Sequence, residues 1–177
     1  MQKRVCNKRL RNQERPVMKM TYKKGLIAIL SILSSAASAQ KIEIPQQGST
    51  TYVTYYLNHL VSSIDMGDQG NDEIIEGFGI TRNTSGQKIF DNMSVHCVFY
   101  YGVHGGKDEA KGACTEMDAD GDKVFTTFVV GTHTLIGGTG KYKGITGTAS
   151  FTVNPLRPPA AGTFAVEVDH KVSWNIK

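Results

Sequence analysis

Two cysteines placed symmetrically about a pair of glycines constrain the fold of this chain more than any other feature. Cys97 and Cys114 each lie eight residues from the nearer glycine of the pair Gly105-Gly106. A Gly-Gly pair between strand-forming segments is typical of a two-residue type I′ hairpin turn. With the turn at these glycines, the cysteines face each other at a non-hydrogen-bonded position, where Cα atoms lie about 4.5 Å apart. A disulfide accepts that separation, so the spacing predicts an antiparallel hairpin that a disulfide can cross.

The rest of the chain after Gln40 also carries strand patterns. Short segments rich in Thr, Val, Ile, Tyr and Phe alternate with Gly, Asn, Asp and Pro clusters, and no long amphipathic helix is evident. Within residues 162–176, Phe164, Val166 and Val168 alternate with polar or small residues, which is the period of a half-buried strand. Seven or eight short strands with regular turns favour one all-β domain, a sandwich or an antiparallel barrel. The predicted strands are 49–61, 73–81, 94–103, 110–117, 123–130, 132–136, 146–153 and 162–176.

The first 39 residues have the composition of a secretory signal peptide. Residues 1–24 carry nine Lys or Arg against one acid, Glu14. An apolar and small-residue run over 25–37 follows, and the segment ends in a small-x-small cleavage signature at Ala39. The run is too short for the roughly 20 residues that a membrane-spanning helix needs. We therefore expect residues 1–39 to be removed on export, which leaves residues 40–177 as a single domain.

Removal of this segment reverses the charge of the protein. The whole chain has a net charge of +4, whereas residues 40–177 contain 11 Lys and Arg against 15 Asp and Glu, a net charge of −4. Nucleic-acid binding requires a basic face on the domain itself, so we expect no nucleic-acid partner. We also expect no stable membrane anchor after cleavage, and a secreted or periplasmic location. Met18 and Met20 are alternative start sites, because either would leave a signal peptide of ordinary length.

Export also bears on the cysteines. Cys6 lies in the removed segment, so the exported domain keeps Cys97 and Cys114. An even number of cysteines in an exported domain indicates a disulfide. The alternatives are two buried free thiols, or a catalytic thiol paired with a histidine such as His96. No Cys-His family signature is present, and we predict the Cys97–Cys114 bridge.

The stretch from Asp118 to Asp122 resembles a calcium-binding loop, because alternate carboxylates supply oxygen ligands. An EF-hand needs Gly at loop position 6 and Glu at position 12, and the sequence has Lys123 and Val129 there. An Asp-Gly hairpin turn between two strands is the interpretation that we favour. Asp118, Asp120 and Asp122 are the candidates for a metal site, and we predict no metal.

A glycine-rich segment, G-G-T-G-K-Y-K-G, runs from Gly137 to Gly144. A phosphate-binding P-loop would need Gly where Leu135 stands, Ser or Thr in place of Tyr142, and a following helix. The sequence that follows is a predicted strand, so the segment predicts a sharp structural turn between strands. The glycines assigned to this turn are Gly137, Gly138, Gly140, Gly144 and Gly147.

No catalytic constellation stands out, and we assign no catalytic residue and no cofactor. The histidines show no metal-ligand spacing, and each is expected at the surface or on a strand face; they are His59, His96, His104, His133 and His170. Aromatic residues fall on both faces of the strands, so some would line a barrel interior suited to a small hydrophobic ligand. The alternative is that they fill the core. They are Tyr52, Tyr55, Tyr56, Phe99, Tyr100, Tyr101, Phe125 and Phe128.

The stretch from Gly137 to Gly147, with the strand that follows it, resembles the allene oxide cyclase-like and dirigent-like β-barrel superfamily. Those proteins carry a similar G-G-T-G-K-[FY]-x-G-x-x-G connection between late strands. The preceding stretch from Cys114 to Phe125 is similar to small exported bacterial members, so the resemblance covers residues 114–153. It implies an eight-stranded antiparallel, calycin-like barrel with an internal pocket, often oligomeric. Plant members guide the cyclisation or coupling of small hydrophobic molecules without a metal or organic cofactor, but their catalytic acids and pocket cysteine have no match in this chain.

The sequence thus predicts an exported barrel that binds a small hydrophobic molecule in its interior and that can form a homo-oligomer. The alternatives are a cofactor-independent isomerase or cyclase, and a filled barrel with a structural or interaction role. An interior acid with a perturbed pKa would favour the enzyme. A dry apolar interior would favour the binding protein, and a filled interior the structural role.

Overall fold

A computed structural model describes residues 43–177, which form a closed barrel of eight antiparallel strands in chain order. The all-β, eight-stranded prediction is confirmed. Residues 1–39, including the predicted signal peptide and the alternative starts, lie outside the described residues. Within 43–177 there is no helix of the length and apolar character needed to cross a membrane. The strands are β1 Gln47–Asp65, β2 Gly70–Asn83, β3 Ser94–His104, β4 Lys107–Met117, β5 Lys123–Val129, β6 Thr132–Gly138, β7 Ile145–Leu156 and β8 Thr163–Ile176.

The first and last strands close the barrel. β1 pairs with β8 from Gln47 opposite Asn175 to His59 opposite Thr163. Strand closure removes the unpaired edges that an open sheet would expose. It also gives every strand one face toward the interior, and the alternation within β8 follows this rule: Val168 and Val172 are buried.

One end of the barrel, here called the closed end, is filled with apolar side chains. It lies where β2 joins β3, β4 joins β5 and β6 joins β7. Trp174 packs there against Phe90 with ring centroids 6.1 Å apart, and its indole nitrogen donates a 3.0 Å hydrogen bond to the Pro45 carbonyl. Tyr142 and Ile145 are fully buried in the same cluster. The opposite end, where β1 joins β2, β3 joins β4, β5 joins β6 and β7 joins β8, is here called the mouth.

The predicted hairpin is formed by β3 and β4. Cys97 lies opposite Cys114, and the two residues form a disulfide with Cα atoms 4.1 Å apart. Gly105 and Gly106 form the turn, both with positive φ (55° and 74°) as a type I′ turn requires. The predicted register and bridge are thus both present.

The stretch from Asp118 to Asp122 is the turn between β4 and β5, as the Asp-Gly pattern indicated. The Asp118 carboxylate accepts hydrogen bonds from the backbone N–H groups of Asp120 (2.9 Å) and Asp122 (3.1 Å). The Lys141 ammonium lies 2.6, 2.7 and 3.1 Å from carboxylate oxygens of Asp118, Asp120 and Asp122. A lysine from the glycine-rich segment therefore provides the positive charge among these three acids.

Gly140 makes this arrangement sterically possible. Its φ is +52°, and a Cβ atom at this position would collide with the Asp122 carboxylate. The backbone N–H of Lys141 donates to that same carboxylate at 3.2 Å. The glycine-rich segment is thus a structural clamp that joins the β4–β5 turn to the β6–β7 connection. Gly137 and Gly138 lie at the end of β6, Gly144 precedes β7, and Gly147 lies within β7.

Replacement of Lys141 by Met should lower the free energy of unfolding by about 1–2 kcal/mol, because three carboxylates would lose their shared cation in a cluster that is only partly buried, with Asp120 61% exposed. Lys143→Met is the matched control, since Lys143 belongs to the same segment but is exposed. Urea unfolding at neutral pH measures both variants. Equal stability of the two would show that the cluster does not hold the loops together.

Candidate functional site

A connected group of polar side chains lies in the barrel interior. We call it the interior polar belt and define it as Tyr52, Glu116, Thr126, His133 and His170. All five are at most 6% exposed. Each comes from a different strand, β1, β4, β5, β6 and β8 in that order. Barrel closure alone therefore brings these residues together, because they are far apart in sequence.

Contacts between side chains connect the five members of the belt, from Glu116 through Tyr52, His170 and His133 to Thr126. The Tyr52 hydroxyl donates a long hydrogen bond, 3.5 Å, to Glu116 Oε1. The Tyr52 ring stacks flat on the His170 ring, with centroids 4.3 Å apart and planes 2° from parallel. The His133 ring lies 5.4 Å from that of His170, and its Nδ1 is 3.3 Å from Thr126 Oγ1.

Glu116 is the member with the most unusual environment. It is 3% exposed and is the only buried carboxylic acid among residues 43–177. Its Oε2 is buried without a hydrogen-bond partner among those residues. Burial raises the pKa of Glu116 from 4.5 to about 7, against a smaller lowering by the Tyr52 hydrogen bond. Near neutral pH the group therefore exists as both acid and carboxylate, which suits proton transfer.

The two histidines are shifted in the opposite direction. Burial lowers the pKa of His133 to about 4. Burial, with repulsion from His133, lowers the pKa of His170 to about 3. Both imidazoles are therefore neutral at physiological pH, and the belt combines a protonatable acid with neutral nitrogen bases.

An aromatic layer adjoins the belt in the barrel interior, with Phe128 opposite His133 and Phe151 opposite His170 in the strand pairing. Phe99, Phe128 and Phe151 are half-buried there, with the ring centroids of Phe128 5.5 Å from Phe99 and 6.2 Å from Phe151. The disulfide faces the same interior, and the Tyr56 hydroxyl lies 3.7 Å from Cys97 Sγ. Asn58, which is also buried, lies on the mouth side of Tyr52 on the same face of β1. A molecule that reaches the belt from the mouth would therefore meet apolar rings, the disulfide and this amide first.

The other residues singled out in the sequence lie away from the belt. Of the aromatic residues, Tyr55 and Tyr100 point outward, with the Tyr100 hydroxyl 2.6 Å from Asp72. His96 is exposed and contacts Glu76 at 2.8 Å. Within residues 43–177, no three His, Cys, Asp or Glu side chains are arranged to hold a metal ion.

Sequence reasoning missed Glu116 and gave the two buried histidines no role. His170 could have been found, because it continues the alternation of Val166 and Val168 and so falls on the buried face. His133 alternates with Leu135 in the same way. Glu116 carries no comparable signal, since its strand has few large apolar residues. Its burial follows from its position two residues from Cys114, on the same face of β4.

The chain has similarity to solved structures but not to family models or curated proteins. No family model matches the chain, and no curated protein matches it. Among solved structures, the chain is similar to the pterocarpan synthase dirigent protein GePTS1, with 11% identity, a TM-score of 0.45, and coverage of 77% of this chain and 90% of that one. It is also similar to the pterocarpan synthase dirigent protein PsPTS1, with 12% identity, a TM-score of 0.43, and coverage of 76% and 99%. Both are dirigent proteins, and identities this low do not carry their activity to this chain.

The raised pKa of Glu116 predicts a specific pH dependence of stability. Between its unfolded value of 4.5 and its folded value of about 7, the folded protein binds more protons than the unfolded chain. The contribution of Glu116 to the free energy of unfolding therefore falls as pH rises through this window. Relative to Glu116→Gln, which cannot ionise, the wild type should lose about 3 kcal/mol between these pH values.

Urea unfolding of the two proteins at several pH values across this window measures the difference. Glu109→Gln, an exposed acid on the same strand, is the control and should run parallel to the wild type. A constant difference between the wild type and Glu116→Gln at all pH values would show that Glu116 titrates normally.

Proposed function

We propose that the barrel interior binds a small uncharged molecule and that Glu116 transfers a proton to it without a cofactor. The observation that carries this proposal is the buried, unpartnered Oε2 of Glu116. A carboxylic acid held neutral in a dry site can donate a proton or a strong hydrogen bond to a ligand oxygen. The half-buried aromatic layer beside the belt supplies an apolar contact surface for such a ligand.

The reaction class that fits the belt is enolisation or a related isomerisation. Glu116 gives its proton to a carbonyl oxygen of the ligand while neutral His133 takes a proton from the adjacent carbon. The product is an enol, and return of a proton to the same carbon exchanges hydrogen with solvent. Where the ligand carries a conjugated double bond or an adjacent hydroxyl group, reprotonation at a different carbon gives an isomer. Protons balance, because the acid ends as a carboxylate and the imidazole as an imidazolium, and return to the ligand or solvent resets both.

Burial also limits which ligands the interior accepts. No Lys or Arg is among the buried residues of 43–177. An anionic ligand would therefore lose its hydration without gaining a counter-charge, which is strongly unfavourable. An uncharged ligand avoids that cost.

Deuterium incorporation next to the carbonyl of cyclohexanone in D₂O, followed by NMR, tests the proton transfer. The rate should be highest between the pKa of His133, about 4, and that of Glu116, about 7, because it needs neutral imidazole and protonated acid together. Glu116→Gln should reduce the protein-catalysed rate by about 10²-fold, whereas the exposed Glu109→Gln should not change it. An exchange rate that is the same in the wild type and Glu116→Gln would overturn the proposal, and binding without exchange would favour a binding protein.

We propose further that the protein is exported. The predicted signal peptide ends at Ala39, and the disulfide suits an oxidising compartment. Protein recovered from the periplasm or medium of its host should begin at Gln40, with a mass two hydrogens below that of the reduced form. Intact mass spectrometry before and after reduction measures both. A protein that keeps residues 1–39, or two thiols that react with an alkylating agent, would contradict export and the bridge respectively.

A further inference from the structure

Two buried polar atoms of the interior polar belt have no hydrogen-bond partner among residues 43–177. They are Glu116 Oε2 and His170 Nδ1. The backbone of Val168 and that of Tyr52 lie close enough to the His170 ring to oppose the lowering of its pKa by burial, but neither satisfies Nδ1 with a well-formed hydrogen bond. A third such atom, Asp118 Oδ2, contacts the Lys141 ammonium at 2.6 Å and is thereby compensated. Buried polar atoms in native proteins are nearly always paired, and an unpaired one costs about 1–3 kcal/mol. The two atoms of the belt therefore point to a ligand that pairs with both.

Tyr52 places the two atoms within reach of one small molecule. Its ring stacks on the His170 ring at 4.3 Å, and its hydroxyl lies 3.5 Å from Glu116. The two residues thus contact one tyrosine side chain, His170 at its ring face and Glu116 at its hydroxyl. The Tyr52 ring is itself held from its other side by Phe90, with centroids 5.0 Å apart and planes 10° from parallel. The spacing between the groups is therefore set by packed rings.

The chemistry of the two groups defines what they recognise. A carboxylic acid donates its proton to an acceptor such as a carbonyl oxygen. A neutral imidazole carries one N–H and one bare nitrogen. A hydroxyl group can donate to the bare nitrogen or accept from the N–H, so it pairs with either tautomer of His170.

We propose that the interior polar belt binds a small uncharged hydroxy-ketone, with its carbonyl oxygen on Glu116 and its hydroxyl group on His170. This inference rests on the proposed function in that both require a ligand in the interior. It adds the substrate class and gives His170 a binding role that is separate from proton transfer by Glu116 and His133.

Three ring compounds of nearly equal size test the proposal. 4-Hydroxycyclohexanone carries both groups, 4-methylcyclohexanone lacks the hydroxyl, and 4-methylcyclohexanol lacks the carbonyl. NMR titration of the exported protein, at a pH below the Glu116 value of about 7, gives the three dissociation constants. The hydroxy-ketone should bind about tenfold more tightly than either partner compound, as one hydrogen bond to a buried group predicts.

Variants then assign each preference to its residue. His170→Phe keeps a ring stacked on Tyr52 but removes both nitrogens, so it should lose the preference over 4-methylcyclohexanone and keep that over 4-methylcyclohexanol. Glu116→Leu should lose the preference over 4-methylcyclohexanol and keep that over 4-methylcyclohexanone. His96→Phe, on the outer face, is the matched control and should keep both preferences. The comparison of ligands on the wild type needs no variant to fold.

Equal affinities of the wild type for the three compounds would overturn the inference, as would no binding of any of them. A preference for the hydroxyl that survives in His170→Phe would also overturn it. Deuterium exchange without a hydroxyl preference would leave the proposed function intact and remove this inference. A preference for the hydroxyl compound without deuterium exchange would support this inference and overturn the proposed proton transfer.

Discussion

The pairing of β1 with β8 is the interaction on which the rest of the structure depends. These strands are the two ends of the barrel sequence, and their ladder from Gln47 to His59 converts an open sheet into a closed one. Closure gives eight strands a shared interior that water reaches only with difficulty. The shifted pKa values of Glu116, His133 and His170 all follow from that dehydration, since burial is the largest cause of each shift.

Burial acts oppositely on acids and bases, and the belt shows both effects. A carboxyl group becomes a weaker acid and an imidazole a weaker base, because each loses the hydration of its charged form. The result is a polar interior that is uncharged at a pH above the His133 value of about 4 and below the Glu116 value of about 7. A purely structural core would gain stability from apolar side chains at these positions. The closed end has such a core, with Trp174, Tyr142 and Ile145, whereas the belt keeps an acid and two imidazoles.

Much of the fold could be predicted from local sequence. The hairpin of β3 and β4 follows from the Gly105-Gly106 turn and the cysteine spacing, and the alternation of β8 follows from its period of two. Long-range features could not be predicted in the same way. The role of Lys141 depends on a turn about twenty residues earlier in the chain. The local pattern of Asp118–Asp122 predicted that turn but carried no sign of the lysine that pairs with its carboxylates. Glu116 is an acid on a strand with few large apolar residues, so only barrel closure shows that it is buried.

The proposed site depends most on Glu116 lying in a dry interior that raises its pKa to near neutrality. A pH titration of the Glu116 side-chain carboxyl ¹³C chemical shift, assigned by comparison with Glu116→Gln, measures this directly. The account predicts a midpoint of about 7. A midpoint near the ordinary value of 4.5 would mean that water reaches the carboxyl group, and would contradict both the dry interior and the proton-transfer site built on it.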